Sequence, residues 1–330
     1  MSSVANVIIH ASQFPDAVRR DLLESLRTRR VNHKFHYDSV KQTQKWLALH
    51  QTYSPSRNDA DCAITHDRAF AGAAALMKSR RVHVVGLGCG GGQKDTRLLR
   101  LLNRQGRGIF YTPSDVSVAM TLVARQTALA IVPKKNCFPL VCDLMNASDL
   151  PAVLATHAPD RSSRLITFFG MIPNFEPEKI LPKLTALARS EDFLLFSANL
   201  APGKKYGAGV KKILPQYDNA LTRDWLLAFL FDLGVTSSDG CLQFSIEQDA
   251  CGRGFKKIVA RFYFAKLRRI QVEREAFFFR AGDTIQLFFS YRYTPDLVRQ
   301  VLGEFGLKVL DEWIAKSGEE GVFLCRRSMR

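Results

Sequence analysis

The stretch RVHVVGLGCGGGQKDTRLLRLL, residues 81–102, constrains the chain more than any other: a β-branched run, a turn with glycines at 86, 88, 90, 91 and 92, then leucines at helical spacing. Glycine has no Cβ, so such a turn lets backbone amides close on a ligand at the start of the next helix. Leu98, Leu99, Leu101 and Leu102 carry the apolar face of that helix, and the whole reads as a strand, loop and helix unit. IFYTPSDVS followed by AMTLVARQTALAI repeats the unit, and FPLVCDLMN, LITFFGMIPNF and DFLLFSANL supply three more apolar strand candidates. Strand alternating with helix over 82–200 predicts an α/β fold: a Rossmann-like, doubly wound, mostly parallel sheet with its ligand at the carboxyl ends of the strands.

The flanks follow another rhythm. PDAVRRDLLESLRTRR sets Val18, Leu22, Leu23 and Leu26 on one helical stripe, and AITHDRAFAGAAALMKS reads as a second helix after a polar and aromatic stretch that ends at Pro55. Past residue 200 the alternation stops. APGKKYGAGVKK reads as a glycine- and lysine-rich connector, DNALTRDWLLAFLFDLGV as a helix, and FKKIVARFYFAKLRRIQV and AFFFRAGDTIQLFFSYRY as long strands, so an added α+β domain is expected. Residues 294–330 resume helix and strand and are expected to return to the first sheet. The division this predicts is 60–200 with 290–330 for the sheet domain, and 1–59 with 201–289 for a substrate-binding domain.

Composition narrows the classes. With 46% hydrophobic residues the chain can fill a core, and it has neither an apolar run of membrane-spanning length nor a secretory start, so a cytoplasmic protein is expected. The net charge of +16 would attract a polyanion, but the basic residues are dispersed in pairs such as Lys134/Lys135 and Lys256/Lys257, and no nucleic-acid motif accompanies them; a nucleic-acid partner is therefore not favoured. The seven cysteines form no CxxC pair, and His33 and His36 lack a third ligand nearby, so no metal is expected.

A glycine turn alone could serve a dinucleotide, a nucleotide phosphate or only the backbone. Its companions narrow the choice. Asp115, ending the second strand in YTPSDVS, stands where a carboxylate can accept from both ribose hydroxyls, although the helix opening at Ser117 and Val118 also allows it to be a cap. Asp143 in LVCDL falls where methyltransferases place a carboxylate near adenine, and Gly170 in FFGMIPN ends the fourth strand. No GxxxxGK[ST] is present and no residue announces hydride chemistry, which leaves S-adenosylmethionine as the better ligand.

With these residues in place, the chain resembles the histidine-specific methyltransferase family from about residue 20 to its end. KFHYDSV, with Tyr37, looks like that family's F-Y-D opening, and TYSPSR looks like its Y-Y-P-T-R turn, with Tyr53 at the first tyrosine and Ser54 replacing the second. FFGMIPNFEPE is similar to its G-x-x-I-G-N-F segment with Pro173 where glycine is usual, and QYDNA matches its Y-D-D/N motif. The resemblance implies that Gly86, Gly88, Gly90, Lys94, Asp115, Asp143 and Gly170 surround the cofactor, while Tyr37, Tyr53, Asn174 and Tyr217 hold an amino acid. Tyr53 and Asn174 are then the candidates for presenting the acceptor nitrogen. Ser290 in FFSYRY matches the serine of the family's E-x-S-x-K-Y/F motif, but Phe288 stands where the family's glutamate grips an imidazole. An apolar ring suits Phe288 better than an imidazole, because a polar edge left unpaired in a closed pocket costs about 1–3 kcal/mol.

The activity expected is methylation of the amino group of a free amino acid, histidine-like or otherwise aromatic, or of a related small amine. Two rivals stay open: an RNA or protein methyltransferase using the basic surface, and a cofactor-binding homologue that has lost turnover.

Overall fold

The computed structural model describes residues 4–54, 58–157, 162–249 and 252–328. Along the chain the strands are β1 (Ile8–Ile9), β2 (Arg81–Leu87), β3 (Gly108–Asp115), β4 (Leu140–Val141), β5 (Ser163–Phe168), β6 (Phe193–Asn199), β7 (Gly240–Gln248), β8 (Lys256–Phe264), β9 (Arg268–Val272), β10 (Glu275–Phe279), β11 (Thr284–Arg292), β12 (Leu307–Ile314) and β13 (Glu320–Arg327). They fall into two compact units, one of residues 1–14, 59–200 and 294–330, the other of 15–58 and 201–293.

The first unit holds a sheet in the order β1-β4-β3-β2-β5-β6-β13-β12. β1 to β6 run parallel, and β13 enters antiparallel between β6 and β12. Helices cover both faces, so the strands are buried on both sides and read in sequence as near-continuous apolar runs: from Val82 to Leu87 every residue of β2 is buried. The core joins Phe70 and Ala73 of the helix Ala60–Leu76 and Met77 just after it, Leu98, Leu99 and Leu102 of Gln93–Arg104, and Val82, Val84, Ile109 and Tyr111 of the sheet. Strand order reverses about β2, whose neighbours are β3 on one side and β5 on the other. The glycine turn that leaves β2 thus lies at the switch point where doubly wound sheets bind ligands.

The opening residues, expected with the substrate-binding part, pair instead with this sheet. Ile8 and Ile9 align with Leu140 and Val141, and the His10 amide donates to the Val141 carbonyl at 2.9 Å.

Among the described residues the second unit is an α+β assembly of the antiparallel sheet β11-β8-β7, the hairpin β9–β10 and the α-helices Pro15–Thr28, Val40–Tyr53, Tyr206–Tyr217 and Ala220–Asp232. Its core packs Leu26, Phe35, Trp225, Phe229, Phe262, Leu287 and Phe288 together. Most of the stretch expected to be a connector, APGKKYGAGVKK, lies in the helix Tyr206–Tyr217. Gly209 is what the packing requires there: a Cβ would stand 2.3 Å from the Pro202 carbonyl oxygen, while Val210 and Ile213 supply the buried face. Among the described residues no helix is long and apolar enough to cross a membrane.

Candidate cofactor and substrate sites

Four adjacent strands, β4-β3-β2-β5, deliver the expected cofactor residues to one edge of the first unit. At about 4.8 Å between neighbours, their carboxyl ends span a width suited to a nucleoside. After β2, Gly88 (φ +57°), Gly90 (φ +51°) and Gly92 (φ +69°) take left-handed conformations, and Gly92 caps the helix Gln93–Arg104. A side chain at Gly92 would meet Ala124 at 2.7 Å, so the turn is packed as closely as glycine allows.

Asp115 ends β3 at 8% exposure and ties two loops together. Oδ2 accepts from the Gly90 amide at 2.9 Å and Oδ1 from the Ser117 amide at 3.0 Å. Ser117 is itself the helix cap, its Oγ accepting from the Met120 amide at 3.3 Å, so capping does not account for Asp115. Burial raises the Asp115 carboxyl above its usual value, with the Ser117 and Gly90 amides pulling it back. Asp143, just past β4, accepts from the Met145 amide at 2.9 Å and Asn146 Nδ2 at 3.0 Å, and its own amide donates to Ser12 Oγ. Gly170 follows β5 at φ +72°, its amide donating to Ser197 Oγ at 2.9 Å.

Beneath the turn lies a residue that sequence reasoning did not single out. Asp95 is buried under Gly86, where a Cβ would come within 2.1 Å of Asp95 Oδ2. Tyr111 of β3 donates its hydroxyl to Oδ2 and Thr167 of β5 donates to Oδ1, both at 2.7 Å. Burial pushes the Asp95 carboxyl up to about 6, with the two hydroxyls opposing. One side chain thereby clamps the strands on either side of β2. Lys94, beside it, turns its ammonium to Glu320 Oε1 at 3.1 Å and lies over the Phe169 ring.

In the second unit, three of the expected substrate residues come together. The Tyr217 hydroxyl donates to Ser290 Oγ at 2.9 Å and accepts from Arg292 Nη2 at 2.8 Å. Arg292, buried and in the same FFSYRY stretch, was not singled out in the sequence. Phe288 is 7% exposed, its ring 6.2 Å from that of Tyr217, 5.7 Å from Trp225 and 5.4 Å from His33. Burial lowers His33 to about 3, with His36 adding to the shift, so the imidazole beside Phe288 is neutral. Tyr37 packs between Trp46 and Trp225 at 6.0 and 5.5 Å.

Tyr53 is the last residue of its helix and 51% exposed. Pro55, Ser56 and Arg57 of its motif lie outside the described residues. Asn174 closes the 3-10 turn Ile172–Asn174 after β5, in the first unit.

The first unit's residues fit S-adenosylmethionine. Asp115 accepts from the Ser117, Gly90 and Val116 amides, which leaves a carboxylate of about four lone-pair sites able to meet a ribose hydroxyl, and a side chain at Gly88 would fill the cradle against Met171 at 2.8 Å.

The sequence profile described as histidine-specific methyltransferase, S-adenosylmethionine-dependent, matches residues 18–221 and 255–327. No curated protein sequence matches the chain. Among solved structures, magnesium protoporphyrin IX methyltransferase (ChlM) from Synechocystis PCC 6803, with S-adenosylhomocysteine bound, is similar at 13% identity and TM-score 0.45 over 90% of this chain and 98% of that one. The mitomycin 7-O-methyltransferase MmcR is similar at 13% identity and TM-score 0.43, over 96% of this chain and 70% of that one. The 1,6-didemethyltoxoflavin-N1-methyltransferase of Burkholderia thailandensis is similar at 12% identity and TM-score 0.38, over 87% and 91%. The profile spans most of the chain, including the glycine turn, Asp115 and Asp143. The first unit has an α/β fold with a doubly wound, mostly parallel sheet, and the chain belongs to the histidine-specific, S-adenosylmethionine-dependent methyltransferase family.

Proposed function

We propose that the enzyme methylates the amino group of a free amino acid with an apolar or aromatic side chain, or of a related small amine. The observation that carries the reading is the hydrogen-bonded run Arg292–Tyr217–Ser290 beside the aromatic group of Phe288 and Trp225. Tyr217 and Ser290 are the positions the family motifs assign to the acceptor, and here hydroxyls and a guanidinium stand next to rings instead of a carboxylate. Polar partners of this kind suit an amino acid's charged end, and the rings suit an apolar side chain.

When bound, S-adenosylmethionine supplies an electrophilic methyl group on a sulfonium. The protein's part is orientation: in the second unit Tyr53 is proposed to present the acceptor nitrogen with its lone pair unprotonated and Tyr37, Tyr217 and Ser290 to hold the rest of the molecule, while Asn174 is proposed as an acceptor-presenting residue of the first. A strong general base is not required, because an amine can lose its proton to water before attack.

The test is calorimetric titration of amino acids into the protein loaded with S-adenosylhomocysteine. Binding of tryptophan, tyrosine or phenylalanine more tightly than histidine supports the reading, and binding of histidine alone would restore the family's usual acceptor. Salt-dependent RNA binding together with methyl incorporation into RNA would replace it with a nucleic-acid activity favoured by the +16 charge.

A further inference from the structure

Glu320 opens β13 at 8% exposure, and both of its carboxylate oxygens are engaged. Oε1 accepts from His66 Nε2 at 2.9 Å and from Lys94 Nζ at 3.1 Å, and Oε2 accepts from Cys62 Sγ at 3.1 Å. Cys62 and His66 lie one turn apart on the helix Ala60–Leu76, both buried, and Lys94 is the second residue of the helix capped by Gly92. The positive end of a helix dipole is a poor place for an ammonium, so the helix does not itself keep Lys94 there.

Burial alone would raise the Glu320 carboxyl, but the Lys94 ammonium and the hydrogen bonds from His66 and Cys62 hold it well below the usual carboxylate range. Burial lowers His66, with the Lys94 charge adding to it, so the imidazole is neutral and its Nε2–H is a donor. The donor atoms of Cys62, His66 and Glu320 lie within 4.8 Å of one another, a set that zinc could use. The Lys94 ammonium already supplies the cation that this carboxylate needs.

We infer that Glu320, braced by His66 and Cys62, is a positioning residue for cofactor binding that acts through Lys94, fixing the ammonium beside the glycine turn where an anionic carboxylate of the cofactor would meet it. The inference rests on the assignment of Lys94 to the cofactor site. It makes a helix face and a strand outside the glycine motif part of the cofactor's recognition.

The experiment is titration of S-adenosylhomocysteine into the wild type, Glu320→Gln, Lys94→Met and the double variant. Glu320→Gln keeps the shape and removes the charge. It is expected to weaken binding about tenfold, Lys94→Met at least as much, and the double variant no more than Lys94→Met alone, since the two side chains act as one. If Glu320→Gln does not fold, Glu320→Asp, which keeps a carboxylate but draws it back from Lys94, takes its place in the same cycle. Wild-type affinity in the Glu320 variant, or losses that add in the double variant, overturns the inference while leaving Lys94 in its role. Unchanged affinity in Lys94→Met removes Lys94 from the cofactor site, and the inference with it. Stoichiometric zinc in the purified wild-type protein would overturn it in favour of a metal centre.

Discussion

The carboxylate of Asp115 and the amide of Gly90, 2.9 Å apart, join the end of β3 to the glycine turn that leaves β2. The bond fixes the turn's position and holds one side of Asp115, leaving its remaining lone pairs for a ligand. Asp115→Asn offers a single oxygen in place of two and can no longer accept from both Gly90 and Ser117 while facing a ribose. Hydrogen bonds to charged groups contribute about 1.5–3 kcal/mol, so S-adenosylhomocysteine is expected to bind on the order of ten- to a hundredfold more weakly by calorimetry. Undiminished affinity would dismiss Asp115 as a cofactor residue.

Asp95 makes stability depend on pH. Its folded-state value of about 6 stands above the ordinary carboxylate value of 3.8. A raised carboxyl contributes stability that is fully present below the unfolded value and is lost as pH rises through the folded one. The wild type is therefore expected to lose on the order of 2–3 kcal/mol from this group between about pH 4 and 6, a loss absent in Asp95→Asn. Urea unfolding of both proteins across that range checks it, and parallel pH profiles would contradict it.

Tyr217→Phe removes the hydroxyl between Arg292 and Ser290 and leaves the ring tilted against Phe288. Affinity for the amino-acid acceptor is expected to fall about tenfold while binding of S-adenosylhomocysteine stays within about twofold, because Tyr217 belongs to the second unit alone. Equal loss of both ligands would mean the substitution acts through folding.

Phe288→Glu restores the residue usual in the family motif. At 7% exposure, among Trp225, Tyr217 and a neutral His33, the new carboxylate has no prepared partner. A loss of about 3 kcal/mol or more is expected in denaturant unfolding. A variant as stable as the wild type that gains histidine binding would show the pocket to be more polar than its present lining.

That Gly88, Asp115, Asp143 and Gly170 gather along one edge of the sheet was legible because each follows or ends a strand that the apolar runs mark out. Asp95 was not, since an acid in the first turn of a helix ordinarily faces water. Its partners Tyr111 and Thr167 become neighbours only through the strand order β3-β2-β5, which no local pattern encodes. Glu320 escaped for the same reason, being brought to Lys94 only when β13 pairs with β6. The helix Tyr206–Tyr217 was masked by its glycines and lysines, because the contact that requires Gly209, with the Pro202 carbonyl, belongs to the folded chain. The opening of the chain was assigned by proximity in sequence, whereas Ile8 and Ile9 complete the edge beside β4.

Methyl transfer itself decides the assignment: purified protein is incubated with S-adenosylmethionine carrying a trideuterated methyl group and a mixture of free amino acids, and the products are read by mass spectrometry. The label is expected on the amino nitrogen of an amino acid with an apolar or aromatic side chain, and that product is expected to vanish in Asp115→Asn at limiting cofactor. Binding of the cofactor with label only on RNA or protein, or on no acceptor at all, would contradict it.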